Sequence, residues 1–449
     1  MPVRAAVVSM VLAGLALGFA LAPPARAEIF NPETFTLDNG LQVVVLPNHR
    51  VPVVHHMVWY RVGAADEPPG KTGLSHLVEH MMFKGTETLG PNQFSRIVAR
   101  NGGRDNAFAS SDFTGYHQTI AKEHLEMVMG MEADRMVNLS LAEEDFLTEL
   151  EVVREERRSR VDNEPSALLN ERLDQALWVV HPYKNPIVGW EHELKSLTRE
   201  DVLAFYKAHY GPENAIVVIS GDVTAQEVQP LAEATYGQVP NQGIEPRMRD
   251  RSLPLPAEAT ITLQHAQVGQ ASLTRRYVAP SYNLDPEQDV YALQVFQEIV
   301  GSGSTGKLYR SLVIDQEIAV SAGAYYRANA VDWGSFAFYA LPRPGVDIET
   351  LDAALKAEIQ TVLETGLTPD IVDQAKARMV AGLVYERDSL GRGARTFGAR
   401  LVTGSTIDDV ESWPARIGAV TPDQIAAAVD RLLNQGRSVT GILLPDKQS

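Results

Sequence analysis

The sequence predicts an α+β protein of two similar halves, each a mainly antiparallel sheet packed with helices, joined by a proline-rich linker. Three observations predict it. Short β-branched and aromatic runs are interspersed with longer helical stretches along the 449 residues. The order of these elements repeats beyond residue 256, and the stretch between the repeats, 239–256, holds four prolines and little apolar periodicity. The length agrees, since roughly 150 residues per domain is usual.

Composition narrows the chemistry. Apolar residues at 45% and charged residues at 22% give ample material for a core. A net charge of −17 argues against nucleic acid, whose affinity for proteins comes largely from Lys and Arg on phosphates. The absence of cysteine excludes disulfides, thiolate nucleophiles and Cys-ligated metals, and leaves His, Asp and Glu as the strong metal ligands.

The elements follow in order. Residues 1–27 carry Arg4, an uncharged run from Ala5 to Ala22, Pro23, Pro24 and the triplet Ala25, Arg26, Ala27. This is the pattern of a secretory signal cleaved after Ala27, so the mature chain is expected to be exported to the periplasm with no stable membrane span. The first half, 28–238, opens with the strands "LQVVVLPN" and "VVHHMVWYRVG", then a helix over 73–84. "NGGRDNAFASSDFTGYHQTI" reads as a Gly turn followed by alternating strand, residues 125–178 as long helices, and "NAIVVISGDV" as a buried strand. After the linker the second half, 257–449, repeats strands, helix, strands and long helices, closing on "RSVTGILLPD".

Within "GLSHLVEHMMFKGT", 73–86, helical geometry puts Leu74, Leu77, Val78, Met81 and Met82 on one face and His76, Glu79 and His80 together opposite, with Gly85 as the stop. The bland account is a solvated polar face. A catalytic zinc wants three protein ligands, so a third must come from elsewhere. In "EEDFLTELEVVREERRSR", 143–160, Glu149 and Glu156 fall on one stripe with Val152 and Val153, whereas Glu151, Arg154, Glu155 and Arg158 point away. A carboxylate on an apolar stripe needs a partner. A metal would serve Glu156, and so would Arg160. Asp145 shares the stripe nearer the helix start, where exposure explains it.

"HLVEH" followed by Glu156, 76 positions after His80, resembles the inverzincins, the H-x-x-E-H zinc peptidases related to pitrilysin, insulin-degrading enzyme and mitochondrial processing peptidase. "NAFASSDFTGYH", the Glu149 to Glu156 spacing and "HPYKNPIVGW" extend the likeness from about Ile29 to the C-terminus. The resemblance implies one zinc per chain held by His76, His80 and Glu156, with Glu79 as general base for the attacking water and Glu149 orienting a metal-bound imidazole. It also implies that a peptide substrate adds as a strand along Asn106 and Ala107. Asn106 is equally readable as a turn residue after Gly102 and Gly103. His55, His56, His117 and His181 read as structural.

One family feature is missing. Full family members carry in the second half an Arg and a Tyr seven residues apart that help hold the substrate, and Val313 and Val320 stand at those places. This leads to the expectation of a zinc endopeptidase completed by a partner, either a homologous subunit without metal in a heterodimer or a second copy. The alternative is a non-catalytic assembly or peptide-binding subunit of the same fold. "GSGSTGKL", 301–308, nearly fits a phosphate loop, but Leu308 replaces the magnesium-binding hydroxyl and the spacing of Ala292, Val295, Phe296 and Ile299 before it is helical, so a flexible loop is expected there.

Overall fold

The computed structural model describes residues 30–252 and 256–446, so the signal read at 1–27 lies outside the described residues. Strands β1 (Glu33–Thr36), β2 (Gln42–Pro47), β3 (Val53–Tyr60), β4 (Arg104–Ala109), β5 (Thr114–Ala121) and β6 (Ala215–Gly221) form one sheet in the order β1-β2-β6-β3-β5-β4. Strands β7 (Ala257–His265), β8 (Ser272–Ala279), β9 (Ala319–Arg327), β10 (Gly334–Pro342) and β11 (Arg437–Pro445) form a second in the order β7-β11-β8-β10-β9.

Set β1 aside and the two sheets have the same topology. In each, the last strand inserts parallel to the first and antiparallel to the second, and every other pair is antiparallel. The repeat read from element order is thus a repeat of wiring. β1 was missed by pattern because its four residues, ETFT, bury almost nothing.

The helices that place the site are α1 (Leu74–Met81), α2 (Leu125–Val137), α3 (Glu143–Arg157), α4 (Pro165–Trp178), α5 (Val290–Gly301) and α6 (Leu390–Thr403). β3 is buried on both faces, so its sheet must be covered twice. On one side Val54, Val58 and Ile120 pack with Leu77, Val78 and Met81 of α1, Val128 and Met136 of α2, and Val153 of α3. On the other, Met57, Trp59, Ile216 and Val218 meet Ala394, Phe397 and Leu401 of α6, a helix from the second half. The second sheet is covered reciprocally, with Leu169, Leu173 and Leu177 of α4 against Val278, Val439 and Leu443. Each half therefore lends one helix to the other's sheet. The approach is close: a Cβ on Gly398 would lie 2.0 Å from the Trp59 indole nitrogen.

One expectation changes here. Residues 301–308 are not a loop, since α5 runs into a short helical turn at Gly303–Thr305 and another at Lys307–Tyr309; a helix precedes them where a phosphate loop requires a strand. Between the halves, residues 240–252 are mostly exposed, but the Arg247 and Arg249 side chains turn inward. Arg249 reaches Asp66 at 2.8 Å, Asp112 at 2.5 Å and Asp332 at 3.4 Å, gathering both halves and the segment between them into one buried knot. Among the described residues no helix is long and apolar enough to cross a membrane.

Candidate metal centre

α1 begins where Glu67, itself buried, accepts the backbone N–H groups of Gly73 at 2.9 Å and Ser75 at 2.8 Å, donors that the first helical turn leaves without partners. It stops at Met81, three residues before the expected end. Phe83 and Lys84 close tight turns back to His80 and Met81, and Gly85 follows at φ +108°, where a Cβ would lie 2.2 Å from the Leu89 carbonyl oxygen. The polar face of α1 is not solvated: His76 is buried, and Glu79 and His80 are half-buried.

Facing it is α3. Glu156 Oε2 lies 3.5 Å from His80 Nε2 and 3.7 Å from His76 Nε2. One ligand atom from each of the three residues falls within 4.8 Å of the others, the one such group found among the described residues. Tetrahedral ligands at the usual zinc distances sit about 3.3 Å from one another, so two imidazoles and a carboxylate at these separations fit a zinc ion in number, chemistry and spacing. Arg160 pairs with the other carboxylate oxygen of Glu156. The two partners weighed for that acid are therefore compatible, one on each oxygen.

Burial, with His80 and Arg160 adding to it, pushes the His76 imidazole down to about 3, which keeps it neutral as a ligand must be. Burial pushes Glu79 up to about 7; His80 and the Ala109 backbone N–H pull it down and Glu156 raises it further. His80 is drawn up: burial opposes this, but Glu149, Glu79 and Glu156 outweigh it. Glu149 Oε2 sits 2.9 Å from His80 Nδ1, the nitrogen turned away from Glu156. Lys84, which periodicity did not single out, sits on the other Glu149 oxygen at 2.6 Å. His76 Nδ1 is buried and has no partner among the described residues.

Among the described residues β4 is an edge strand paired only with β5, and Asn106 and Ala107 lie within it rather than in the preceding turn. The Asn106 side-chain oxygen accepts the Ala107 N–H at 2.9 Å. At the end of this strand the Ala109 N–H lowers the Glu79 carboxyl. Val152, expected beside Glu149 on the inward stripe, is instead 44% exposed; Val153 alone fills the apolar place between the acids. His56 bonds Gln118 and Tyr236, and His181 lies 3.3 Å from Asp332 within the interdomain knot. Val313 is buried, and Val320 is 43% exposed on the edge strand β9.

Two duplicated α+β halves, with an H-x-x-E-H helix opposed by a glutamate in the first half, define a class of bilobed metallopeptidase-like proteins. The chain belongs to the insulinase family, peptidase family M16: residues 42–190 match that family and residues 196–379 match the peptidase M16 inactive domain. It is 31% identical over 384 residues to the zinc protease PqqE of Helicobacter pylori, spanning 84% of this chain and 85% of that one. An uncharacterized zinc protease of Streptomyces coelicolor is 25% identical over 426 residues, 92% of this chain and 90% of its own. The crystal structure of a protease from Helicobacter pylori superposes with a TM-score of 0.86 at 28% identity, over 93% of this chain and all of that one.

Proposed function

We propose that the chain is a zinc-dependent endopeptidase acting on peptides or unfolded polypeptide segments, with zinc held by His76, His80 and Glu156. The observation that carries this reading is the convergence of those three donors beside the Glu79 carboxylate. Zinc bound there supplies Lewis acidity toward a scissile carbonyl and makes water a stronger acid. Glu79, one position before His80, takes the proton of the attacking water and returns it to the leaving amine. The edge along which a peptide adds as a further strand at Asn106 and Ala107 is β4, whose last residue, Ala109, lowers the Glu79 carboxyl through its N–H. Glu149 fixes His80 with Nδ1 as its donor, so that Nε2 presents its lone pair to the ion.

The second half has no comparable cluster among its described residues and matches the inactive domain of the family. With Val313 and Val320 at the positions of the substrate-holding Arg and Tyr, catalysis is completed by a partner, a homologous subunit without metal or a second copy, in the periplasm. The alternative, a binding or assembly subunit without activity, is disfavoured because no donor of the cluster is missing.

The test is metal content and peptide cleavage by the pure mature chain, with and without a candidate partner. Stoichiometric zinc is expected, lost in His80→Ala and retained in Glu79→Gln, whose cleavage falls by about 10²–10⁴-fold. Undiminished cleavage by Glu79→Gln overturns the mechanism, and full turnover by the isolated monomer removes the partner.

A further inference from the structure

We infer that Lys84 is a positioning residue for the metal centre, acting through Glu149 to hold the His80 imidazole in the orientation and tautomer that bind zinc. The inference rests on reading His76, His80 and Glu156 as a zinc site. The chain of contacts is short: Lys84 Nζ to Glu149 Oε1 at 2.6 Å, then Glu149 Oε2 to His80 Nδ1 at 2.9 Å, with His80 Nε2 turned toward Glu156. All three side chains are largely out of solvent, Lys84 at 16% exposure, Glu149 at 10% and His80 at 21%.

Long-range structure places this lysine. After Gly85 the chain is pinned to the residues leading into α3, because Gly85 O accepts the Ser140 N–H at 3.0 Å and Thr86 bridges Leu139. That anchorage turns Lys84 back toward the helix carrying Glu149 and Glu156, instead of leaving its ammonium in water, where a lysine is ordinarily found.

The consequence for Glu149 is specific. It stands on the same helix face as Glu156 and against His80, and a second free carboxylate there would be a competing ligand. Lys84 engages one of its oxygens and His80 the other, so neither is left to turn inward. Glu149 stays an outer anchor and Glu156 the ligand. The second imidazole lacks such support, since His76 Nδ1 has no partner among the described residues.

Electrostatics and positioning give opposite signs here, which makes the inference testable. Removing a cation near a cation site should tighten zinc binding if charge alone mattered. Removing a positioning group should weaken it, on the order of 10–100-fold. The experiment is chelator competition for zinc with the full mature chain in wild type, Lys84→Met, Lys84→Arg, Glu149→Gln and the double variant Lys84→Met/Glu149→Gln. ¹⁵N shifts of the His80 ring, assigned against His80→Ala and recorded at a pH where the ring is neutral, report its tautomer in the metal-free state.

We expect Lys84→Met to bind zinc about 10–100-fold more weakly, Lys84→Arg to restore most of the loss, and Lys84→Met to add little once Glu149 is Gln. The His80 ring in Lys84→Met is expected to lose its single Nδ1–H form. Equal or tighter zinc binding in Lys84→Met, or an undiminished effect in the Glu149→Gln background, overturns the inference. If Lys84→Met does not fold, Lys84→Ser, whose side chain stays polar but is too short to reach Glu149, decides on the same scale: wild-type affinity overturns the inference and weakened affinity supports it. A wild-type chain that binds no zinc defeats the parent reading instead, so the two failures are distinguishable.

Discussion

Single side chains decide whether the centre forms. His76, His80, Glu149 and Glu156 were legible in the sequence because helical spacing alone puts the first two on one face and the last two on another, leaving only the meeting of the helices to the fold. Lys84 was not legible, since its approach to Glu149 depends on a chain reversal at Gly85 and on a bridge between Thr86 and Leu139, contacts far apart in sequence. Val152 misled because it lies at the margin of the stripe, where an angular argument cannot tell edge from centre. The reversal itself is checkable. Gly85 has φ +108°, and a Cβ there would overlap backbone rather than a movable side-chain tip. Gly85→Ala is therefore expected to cost at least about 1–2 kcal/mol in denaturant unfolding of the metal-free protein, and to weaken zinc binding as Lys84 shifts. Unchanged stability would show that the turn relaxes freely.

At the scale of elements, strands and helices were largely readable from β-branched runs and apolar periodicity, but their partners were not. An amphipathic helix announces that it covers something without saying which sheet, so the exchange of α4 and α6 between halves left no local mark. The residues beneath α6 carry a pH consequence. His55 is buried there with Nδ1 on Thr119 at 2.8 Å, no partner for Nε2 among the described residues, and Gly391 in the first turn of α6 close to its ring. Burial pushes His55 down to about 3, with His117, His56 and Arg395 adding repulsion, and His117 is lowered by its own burial and by Arg395. The fold thus holds His55 neutral while the unfolded chain protonates near its ordinary 6.5. Stability from this site is present above that value and is lost as pH falls toward 3. Between about pH 7 and about pH 5 this one group should remove about 2 kcal/mol. Urea unfolding should show the loss in wild type and a reduced loss in His55→Gln; equal slopes in both would remove His55 as the cause.

The whole molecule is held by more than its two lent helices. The stretch reads as a linker from its four prolines and lack of apolar periodicity, and no local pattern tells that Arg249 finds acids from both halves. Asp66 and Asp112 come from the first half and Asp332 from the second, with Tyr183 donating to Asp112 at 2.7 Å. Burial alone would raise Asp112 and Asp332, but Arg249 helps hold each below its ordinary value, together with Arg327 and Tyr183 at Asp112 and with His181 at Asp332. Such a group of buried charges is secure only while complete, because removing one member strands the others away from water. Arg249→Met is expected to lower the unfolding free energy by about 3–5 kcal/mol. Because the lost partner spans the junction, the effect should appear as weakened cohesion between the halves, with one cooperative transition giving way to two. If stranded carboxylates are the cause, neutralising one of them should recover part of the loss, and Arg249→Met/Asp112→Asn should be more stable than the sum of the two single changes predicts. Strict additivity in that cycle would mean that Arg249 contributes packing alone and that the halves are joined by α4 and α6 without the knot.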